Sequence, residues 1–400
     1  MIQVAVFGYG TVGSGVVEVI EKNKNEIGKK AGDEIRIKYI LDLKEFPDDP
    51  YKDKIVKDVE LILNDPEVDI ICETMGGLEP AYTFSKRALM SGKSVCTSNK
   101  ELVAAHGPKL LKIAKDNKCN YLFEASVGGG IPIIRPLNYS LTAERIQAVT
   151  GILNGTTNYI LTKMDKDGAG FEEVLREAQE KGYAERNPAA DVEGYDACRK
   201  IAILSSLMIG KNVKYEEIYT EGITKITAED FKYAALLGKS IKLLAQSRET
   251  DKGYVAMVAP FMIDKEHPLY SVTGVYNAIF IQSNMLGNSM YYGRGAGKLP
   301  TASAVVSDIV DCARHIGKTI TCIWEQEDVK LADVKESSRR FFVRVGEGSE
   351  ETVKELFGNR EFLRVIEGEF GFVTDEMTEK EFERKAEALS DLITRIRMEA

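Results

Sequence analysis

The sequence predicts an α/β protein in three parts: a doubly wound parallel sheet, a second α+β domain, and a small C-terminal module of βαββαβ order. The first third alternates short apolar runs with segments of helical spacing, which is typical of βα units. After about Pro132 the pattern becomes mostly helical, and the last stretch alternates strands and helices again. We expect domains at residues 1–134 with about 300–320, at 135–299, and at 337–400.

Short apolar runs in the first part have the composition of buried parallel strands. The expected strands are residues 2–7, 35–41, 69–73, 94–97 and 120–124. Apolar residues at i, i+3 and i+4 predict helices at 16–20, 80–91 and 101–117. The polar stretch 22–34 is expected to be an extended connection between helix and strand.

The same patterns predict the elements of the other two parts. In the second part, a substrate and dimerisation domain, helices are expected at 171–182 and 195–209 and strands at 254–262 and 278–282. A helix at 300–315 is expected to return to the first part. In the third part we expect strands at 340–345, 362–367, 369–373 and 393–398, with helices at 350–357 and 378–392. This last order is a compact supersecondary unit.

The composition argues against several classes of function. A net charge of −9 leaves no basic surplus to neutralise a phosphate backbone, so no nucleic-acid partner is expected. We also expect no membrane partner and a cytoplasmic location, because no apolar run of 18 residues and no leader-like segment is visible. The six cysteines are scattered, which suits reduced thiols.

A glycine turn directly follows the first predicted strand and opens a helix. It is a GxGxxG whose cofactor-binding residues are expected to be Gly8, Gly10, Thr11, Val12 and Gly13. Glycines there allow a tight turn and a close approach to a pyrophosphate, which the helix N-terminus then faces. The position of the turn predicts a Rossmann-type domain that binds NAD or NADP.

Three further segments are candidates for the cofactor site. Asp42 ends the second strand, where an acid contacts a free ribose 2′-hydroxyl and favours NAD, whereas Lys44 could reach a 2′-phosphate of NADP. Met75, Gly76 and Gly77 follow another strand, and so do Thr97, Ser98 and Lys100. The preference between NAD and NADP stays open, and a solvated charge pair at 42 and 44 is the alternative.

One helix carries a charged pair beside an apolar face. Asp196 and Lys200 are four residues apart, so both project from one side of the helix. A lysine that loses water at the edge of a buried surface becomes usable as an acid or base. On spacing alone an ordinary salt bridge is the alternative.

These residues belong to motifs that together resemble the homoserine dehydrogenases. The motifs are GYGTVGSGV, TSNKELVAAHG, EASVGGGIPII, GILNGTTNYIL, GYAERNPAADVEGYDACRK and GRGAGKLPTASAVVSDI, within roughly residues 1–320. The resemblance implies reversible hydride transfer between aspartate 4-semialdehyde and homoserine, on the route to threonine, methionine and isoleucine.

The resemblance also implies roles for single residues. Lys200 matches the catalytic lysine, Asp196 the acid that assists it, and Lys100 a second lysine between cofactor and substrate. The implied substrate-binding residues are Glu185, Asp191, Tyr183, Gly155 and Thr156.

A glycine-rich loop is similar to the family's monovalent-cation loop. The implied ligands, mainly through backbone carbonyls, are Glu124, Val127, Gly129 and Ile131, and the ion is Na⁺ or K⁺. A structural loop without an ion is the alternative. Gly295 and Gly297 match a segment that closes over the cofactor.

The C-terminal module looks like an ACT domain, a unit that binds amino acids in regulated biosynthetic enzymes. Its first loop departs from the usual Asp-x-Pro-Gly turn, because residues 346–349 read Gly-Glu-Gly-Ser. An amino-acid effector therefore stays open, and ACT pairing would suit a homodimer or homotetramer.

Two other functions are alternatives to this one. A thioester-forming semialdehyde dehydrogenase would use Cys96 as its nucleophile. A non-catalytic NAD(P)-binding amino-acid sensor would need neither Lys100 nor Lys200, and their presence argues against it.

Overall fold

The computed structural model describes residues 1–399 as a succession of strands and helices. The strands are β1 (Ile2–Phe7), β2 (Ile35–Leu41), β3 (Ile55–Val56), β4 (Ile70–Glu73), β5 (Ser94–Thr97), β6 (Tyr121–Leu122), β7 (Ile146–Ile152), β8 (Tyr219–Thr220), β9 (Lys239–Thr250), β10 (Gly253–Asp264), β11 (Tyr276–Ser283), β12 (Asn288–Arg294), β13 (Ser338–Arg339), β14 (Phe341–Gly346), β15 (Glu369–Val373), β16 (Met377–Thr378) and β17 (Leu392–Glu399). The α-helices are α1 (Thr11–Lys22), α2 (Lys24–Ala31), α3 (Glu60–Leu63), α4 (Ala81–Met90), α5 (Lys100–Asp116), α6 (Gly155–Asp167), α7 (Phe171–Glu180), α8 (Ala189–Val192), α9 (Tyr195–Ile209), α10 (Ala228–Leu236), α11 (Lys298–Arg314), α12 (Glu350–Phe357) and α13 (Glu379–Ala386). Within residues 1–399, no helix is both long and apolar enough to cross a membrane.

The first compact unit carries a six-stranded parallel sheet. It comprises Met1–Glu144, Ala202–Lys214 and Tyr291–Val329. The strand order is β3-β2-β1-β4-β5-β6, the doubly wound order of dinucleotide-binding domains. The order reverses between β1 and β4, and ligands bind in the crevice at such a point. The predicted α/β class with a Rossmann-type sheet is confirmed.

Two predictions for this unit are wrong. The stretch 22–34 is not an extended connection, since it contains α2, which buries Ile27 and Ala31 and ends at Gly32 with φ +83°. The apolar face of α2 consists of only those two residues, so the helical spacing of apolar residues is hard to recognise among its many charged residues. The strand predicted at 120–124 shrinks to β6, because Glu124 begins a 3₁₀ turn.

The second compact unit holds a mixed sheet. It comprises Arg145–Ile201, Tyr215–Met290 and the chain from Lys330 onward. Its strands follow the order β11-β7-β9-β10-β17-β14-β15, with β8 beside β10. The long β9–β10 hairpin lies at the centre and is antiparallel over its whole length. The division into three domains stays a prediction, since the C-terminal residues fall within this second unit.

The sequence missed β7 and β9 in this unit. β9 reads KSIKLLAQSRET and buries Lys242 and Gln246, polar residues that conceal its apolar character. Strands predicted at 254–262 and 278–282 are present and slightly longer, as β10 and β11. In the first unit, the helix predicted from Pro300 starts earlier, at Lys298, because Gly297 at φ +121° precedes its first turn.

The C-terminal residues retain the predicted βαββαβ order with a reduced second strand. β14 pairs antiparallel with β17 on one side and with β15 on the other. The strand predicted at 362–367 is a single bridge, Leu363 to Gly371, because charged residues and Gly368 (φ +83°) follow it. The helix predicted at 378–392 ends at Ala386. β17 also pairs in parallel with β10, so this module extends the sheet of the second unit.

Candidate active site

The glycine turn between β1 and α1 has the geometry of a pyrophosphate cradle. Gly8 has φ +87°, which favours glycine. A Cβ on Gly13 would lie 1.9 Å from the carbonyl oxygen of Gly8, so only glycine lets α1 pack this closely on the strand. A Cβ on Gly10 would meet nothing within 4 Å. The space beside Gly10 and the N-terminus of α1 together suit an anion such as a dinucleotide pyrophosphate.

Asp42 holds the glycine turn to the end of β2. Its Oδ2 accepts the backbone N–H of Tyr9 at 2.8 Å, and its Oδ1 accepts that of Lys44 at 2.9 Å. The Tyr9 side chain is itself buried and bonded to Asp49, which raises the pKa of its hydroxyl. Asp42 therefore holds the backbone at Tyr9 and at Lys44 through its two oxygens, while the Lys44 side chain is exposed.

A buried carboxylate that the sequence reasoning missed organises the next two loops. Glu73, fully buried at the end of β4, accepts the Thr97 hydroxyl at 2.6 Å and the Met75 N–H at 2.8 Å. Burial raises the pKa of Glu73. Asn99 joins the same loops, because its Nδ2 donates to the carbonyl of Gly77 at 2.6 Å. The signal available in the sequence was an acid that ends an otherwise apolar strand.

These contacts bring the predicted loops 75–77 and 97–100 together. Gly76 and Gly77 have φ of +83° and +71°. The Asn99 side chain also accepts the N–H of Leu102 at 3.1 Å and so caps α5. Lys100 is the first residue of that helix and half-buried, so the position of its backbone is set by this cap.

The glycine-rich loop 124–131 packs on the segment that contains Gly295 and Gly297. A Cβ on Gly129 (φ +55°) would lie 2.4 Å from the Gly295 carbonyl oxygen. The N–H of Gly130 donates to the carbonyl of Arg294 at 3.2 Å. The structure therefore joins the two loops that the resemblance assigned to a cation and to the cofactor.

Glu124 supports this loop from inside. Its carboxylate accepts the N–H groups of Ile133 (2.5 Å), Ile134 (2.9 Å) and Arg135 (2.7 Å). Burial raises the pKa of Glu124 and of Asp308, which accepts the Glu124 N–H. Its side chain is thus engaged by backbone donors, and only its carbonyl suits the predicted cation role.

The loop offers oxygens that suit a monovalent cation. In residues 1–399, no hydrogen bond ends on the carbonyl oxygens of Val127, Gly129 or Ile131, although these residues are buried. Buried carbonyls without donors are unfavourable unless another positive partner is present. These three carbonyl oxygens therefore suit Na⁺ or K⁺, hard ions that take oxygen ligands.

In the second unit, a buried cluster surrounds Lys200. Its ammonium nitrogen lies 2.6 Å from Asp196 Oδ2 and 2.8 Å from the Leu153 carbonyl oxygen. Asn154 caps α6 and donates its amide to Asp191 (2.7 Å) and to Asp196 (2.9 Å). Asn154 is a second residue that the sequence reasoning missed, although it directly precedes the predicted Gly155.

Other predicted substrate residues lie beside this cluster. A Cβ on Gly155 would lie 2.8 Å from the Val275 carbonyl oxygen. The Thr156 hydroxyl donates to the carbonyl of Tyr183 at 2.5 Å, which joins those two residues. Glu185 lies exposed in the loop before α8, and its carbonyl accepts from Gln179. The structure thus groups Asp191, Asp196 and Lys200 around Asn154, the residue before Gly155, but leaves the Glu185 side chain at the surface.

Cys96 lacks the surroundings of a nucleophile. It lies in β5 with no exposed surface, and its sulfur is 3.5 Å from that of Cys312. Burial raises the pKa of the Cys96 thiol, which disfavours the reactive thiolate. This geometry argues against a thioester mechanism.

Comparisons with known proteins agree with these features. A family model described as homoserine dehydrogenase matches residues 132–310, and one described as its NAD-binding domain matches residues 8–124. A homoserine dehydrogenase of Synechocystis sp. is 44% identical over 319 residues, 78% of this chain and 73% of the relative. That of Bacillus subtilis is 42% identical, over 80% of this chain and 75% of the relative.

Solved structures are similar as well. The crystal structure of a homoserine dehydrogenase from Thiobacillus denitrificans has a TM-score of 0.91 and 35% identity, and the match covers 100% of this chain and 98% of that one. A hyperthermophilic archaeal homoserine dehydrogenase in complex with NADPH has a TM-score of 0.67 and 29% identity, over 78% of this chain and 97% of that one.

Proposed function

Because this chain belongs to the homoserine dehydrogenase family and is an NAD(P)-dependent oxidoreductase, we propose that Lys200 is the group that moves the proton. The observation that carries the proposal is the clamp on the Lys200 ammonium, made by the Asp196 carboxylate and the Leu153 carbonyl. An adjacent carboxylate favours the charged form of a lysine, so the nitrogen is held ready as a donor.

The reaction transfers one hydride and one proton. In reduction, NADPH or NADH bound at the glycine turn would supply a hydride to the aldehyde carbon of aspartate 4-semialdehyde. Lys200 donates a proton to the carbonyl oxygen as negative charge develops there, and the product is homoserine. Lys200 is then reprotonated from water, and in oxidation it accepts the hydroxyl proton. A fixed cation at this oxygen stabilises the transition state more than the ground state.

The surrounding residues bind and orient the substrate. Asp191 and Glu185 are proposed to hold its ammonium group, with Tyr183, Gly155 and Thr156 lining the pocket. Asn154 holds the carboxylates of Asp191 and Asp196 in position, because its amide donates a hydrogen bond to each. Lys100, at the start of α5, is the second cation proposed between cofactor and substrate.

We further propose that the dinucleotide lies along the glycine turn and Asp42. The residues proposed to contact it are Gly8, Gly10, Thr11, Val12, Gly13, Asp42, Lys44, Met75, Gly76, Gly77, Thr97, Ser98, Lys100, Gly295 and Gly297. The negative charge of Asp42 supports a preference for NAD, whereas the exposed Lys44 supports acceptance of NADP. A K⁺ or Na⁺ ion on the carbonyls of loop 124–131 is proposed to hold this loop against the segment around Gly295.

Exposed apolar side chains support a homodimer or homotetramer. Met285 and Leu286, between β11 and β12, are 79% and 59% exposed. A contact between copies that covers these two side chains would remove apolar surface from water and stabilise the oligomer. Light scattering on the purified chain distinguishes a homo-oligomer from a monomer, which would contradict this part of the proposal.

One set of assays tests the proposed function. Homoserine oxidation is followed at 340 nm with NAD⁺ and with NADP⁺, each with K⁺, with Na⁺ and with neither ion. We expect turnover with at least one dinucleotide and a lower rate without a monovalent cation. Turnover that depends on phosphate or arsenate would instead favour a thioester enzyme, and binding without turnover would favour a sensor. Loss of turnover in Lys200→Ala with intact cofactor binding supports the role of Lys200.

A further inference from the structure

Helix α11 carries a buried carboxylate that the proposed mechanism does not use. Asp308 lies in this helix and is 3% exposed. Its Oδ2 atom accepts the backbone N–H of Glu124 at 2.8 Å, and its Oδ1 atom accepts Nη2 of Arg135 at 2.7 Å. Glu124 begins loop 124–131 and Arg135 follows the loop. One side chain of α11 therefore holds the chain on both sides of this loop.

Further contacts tie the same part of the chain to α11. The Glu124 carboxylate accepts three backbone N–H groups, from residues 133–135, at 2.5 to 2.9 Å. The Arg135 guanidinium also reaches Asp311, one turn further along α11, where Nε lies 2.7 Å from Oδ2. Separating such partners would leave buried groups without compensation. The two ends of loop 124–131 are therefore fixed relative to α11.

The first turn of α11 packs against both this loop and the helix of the glycine turn. A Cβ on Gly130 would lie 2.8 Å from the Cβ of Pro300, so the loop rests directly on that turn. On another side, a Cβ on Gly15 of α1 would lie 2.9 Å from the Lys298 carbonyl oxygen. The segment proposed to close over the dinucleotide leads directly into the same turn. Helix α11 thus joins the proposed cation loop to the proposed dinucleotide site.

This arrangement gives a physical route between the two sites. Carbonyl oxygens that converge on a cation repel one another when the ion is absent, because each carries partial negative charge. A cation therefore favours the closed form of loop 124–131, in which the loop packs on the start of α11. We propose that Asp308 is a positioning residue that couples the two sites, so that a bound monovalent cation tightens dinucleotide binding through α11. By linkage, the dinucleotide tightens cation binding by the same factor.

The inference rests on the cation and dinucleotide sites of the proposed function and adds the residue that joins them. Fluorescence titration of the full-length chain with NADPH measures the coupling without turnover. The Kd is compared in KCl and in choline chloride at equal ionic strength, since choline is too large to fit between carbonyl oxygens. We expect KCl to tighten NADPH binding about fivefold or more, a usual size for coupling between two sites.

The variant Asp308→Asn should bring this factor close to one. An amide offers one acceptor oxygen, so it cannot accept from both Glu124 and Arg135 as the carboxylate does. NADPH affinity in choline chloride should stay near that of the wild type, which general damage to the fold would not allow. Asp311→Asn is the matched control. It removes a carboxylate from the same helix and the same arginine but leaves the bond to Glu124, so the wild-type factor should be retained.

A second variant leaves all the buried charges in place. The methyl group of Gly130→Ala would push loop 124–131 away from Pro300, so this variant should also lower the factor. Gly130 is exposed, and the variant is expected to fold even if Asp308→Asn does not.

Thermal unfolding without nucleotide separates this inference from the proposed function. KCl should raise Tm above its value in choline chloride, because an ion that binds only the folded chain stabilises it. A Tm and an NADPH affinity that KCl leaves unchanged would remove the cation site, and the inference with it. A Tm raised by KCl with equal NADPH affinity in both salts would overturn the coupling alone. A wild-type factor in Asp308→Asn would overturn the role of Asp308.

Discussion

Two buried lysines of the second unit have different surroundings. Lys200 is paired with Asp196, whereas the ammonium group of Lys242 donates to the Val272 carbonyl, at 2.9 Å, and forms no salt bridge within residues 1–399. Burial lowers the pKa of Lys242 from 10.5 to about 8. Lys242 therefore penalises folding while it is charged, and Lys200 is the lysine whose charge the fold supports.

The pH dependence of stability should reveal Lys242. Between pH 8 and 10.5 the unfolded chain keeps a proton that the folded chain has released, so the contribution of Lys242 to stability rises with pH. Its penalty is full below pH 8 and absent above pH 10.5. Relative to Lys242→Met, the wild type should gain up to about 3 kcal/mol across this range. Urea unfolding at several pH values measures this, and parallel curves for the two proteins would contradict it.

Asp42 should influence the choice of cofactor through its charge. Asp42→Asn keeps one of the two oxygens that accept from the backbone and removes the charge that repels a 2′-phosphate. We expect the ratio of kcat/KM for NADP to that for NAD to rise about tenfold, or 1.4 kcal/mol. An unchanged ratio in steady-state assays would mean that Asp42 does not face the ribose.

At the scale of residues, the sequence predicted the charged groups better than the polar groups that hold them. Lys200, Asp196 and Asp191 were found through motifs, and the structure groups them. Asn154 and Glu73 were missed because an amide that caps a helix and an acid that ends a strand are common in any fold. Their importance arises from contacts between segments distant in sequence, which no local pattern contains.

Two glycines of the glycine turn, Gly13 and Gly10, should respond differently when each is replaced by alanine. In Gly13→Ala the new Cβ would lie 1.9 Å from the Gly8 carbonyl oxygen, so the strand and α1 must separate, at a cost of about 1–3 kcal/mol. Gly10→Ala has open space and an ordinary φ of −77°, so the stability of the cofactor-free protein should not change.

Cofactor binding separates the two variants further. The methyl group of Gly10→Ala would fill the space proposed for the pyrophosphate, so the Kd for the dinucleotide should rise at least tenfold without a fall in Tm. Thermal unfolding and fluorescence titration measure the two quantities. A Gly10→Ala protein with wild-type affinity would place the pyrophosphate elsewhere.

Element prediction succeeded where burial on both faces gave continuous apolar runs, as in β1, β4 and β5. It failed for α2 and β9, whose buried residues are few or polar. The strand expected at 362–367 was suggested by its apolar residues, yet only Leu363 pairs with the sheet. Whether such a segment pairs depends on the edge that the rest of the chain presents to it, which its own sequence does not encode.

At the scale of the whole molecule, buried charges tie the C-terminal module to the rest of the second unit. Arg397 is fully buried and donates to Glu379 and to Glu221. Removal of one partner from such a network leaves uncompensated charge and costs about 3–5 kcal/mol. Arg397→Met should therefore lower stability strongly in urea unfolding. Arg395→Met, which removes a more exposed arginine from the same Glu221, should cost much less, and equal losses would contradict this account.

The fold class was the property most accessible from the sequence. The GxGxxG turn and the βα alternation predicted a doubly wound sheet, and the strand order agrees with that class. The continuity of the C-terminal strands with β10 was not predicted, because a pairing between residues so far apart in the chain leaves no local signal.

The central claim is that the clamped ammonium group of Lys200 delivers the proton to the substrate oxygen. It is tested most directly by single-turnover reduction of aspartate 4-semialdehyde on enzyme preloaded with NADPH or NADH, in Lys200→Met and in Lys242→Met. We expect hydride transfer to slow by about a hundredfold or more in Lys200→Met, with cofactor affinity retained, and to stay near the wild-type rate in Lys242→Met. Hydride transfer at the wild-type rate in Lys200→Met would contradict the claim.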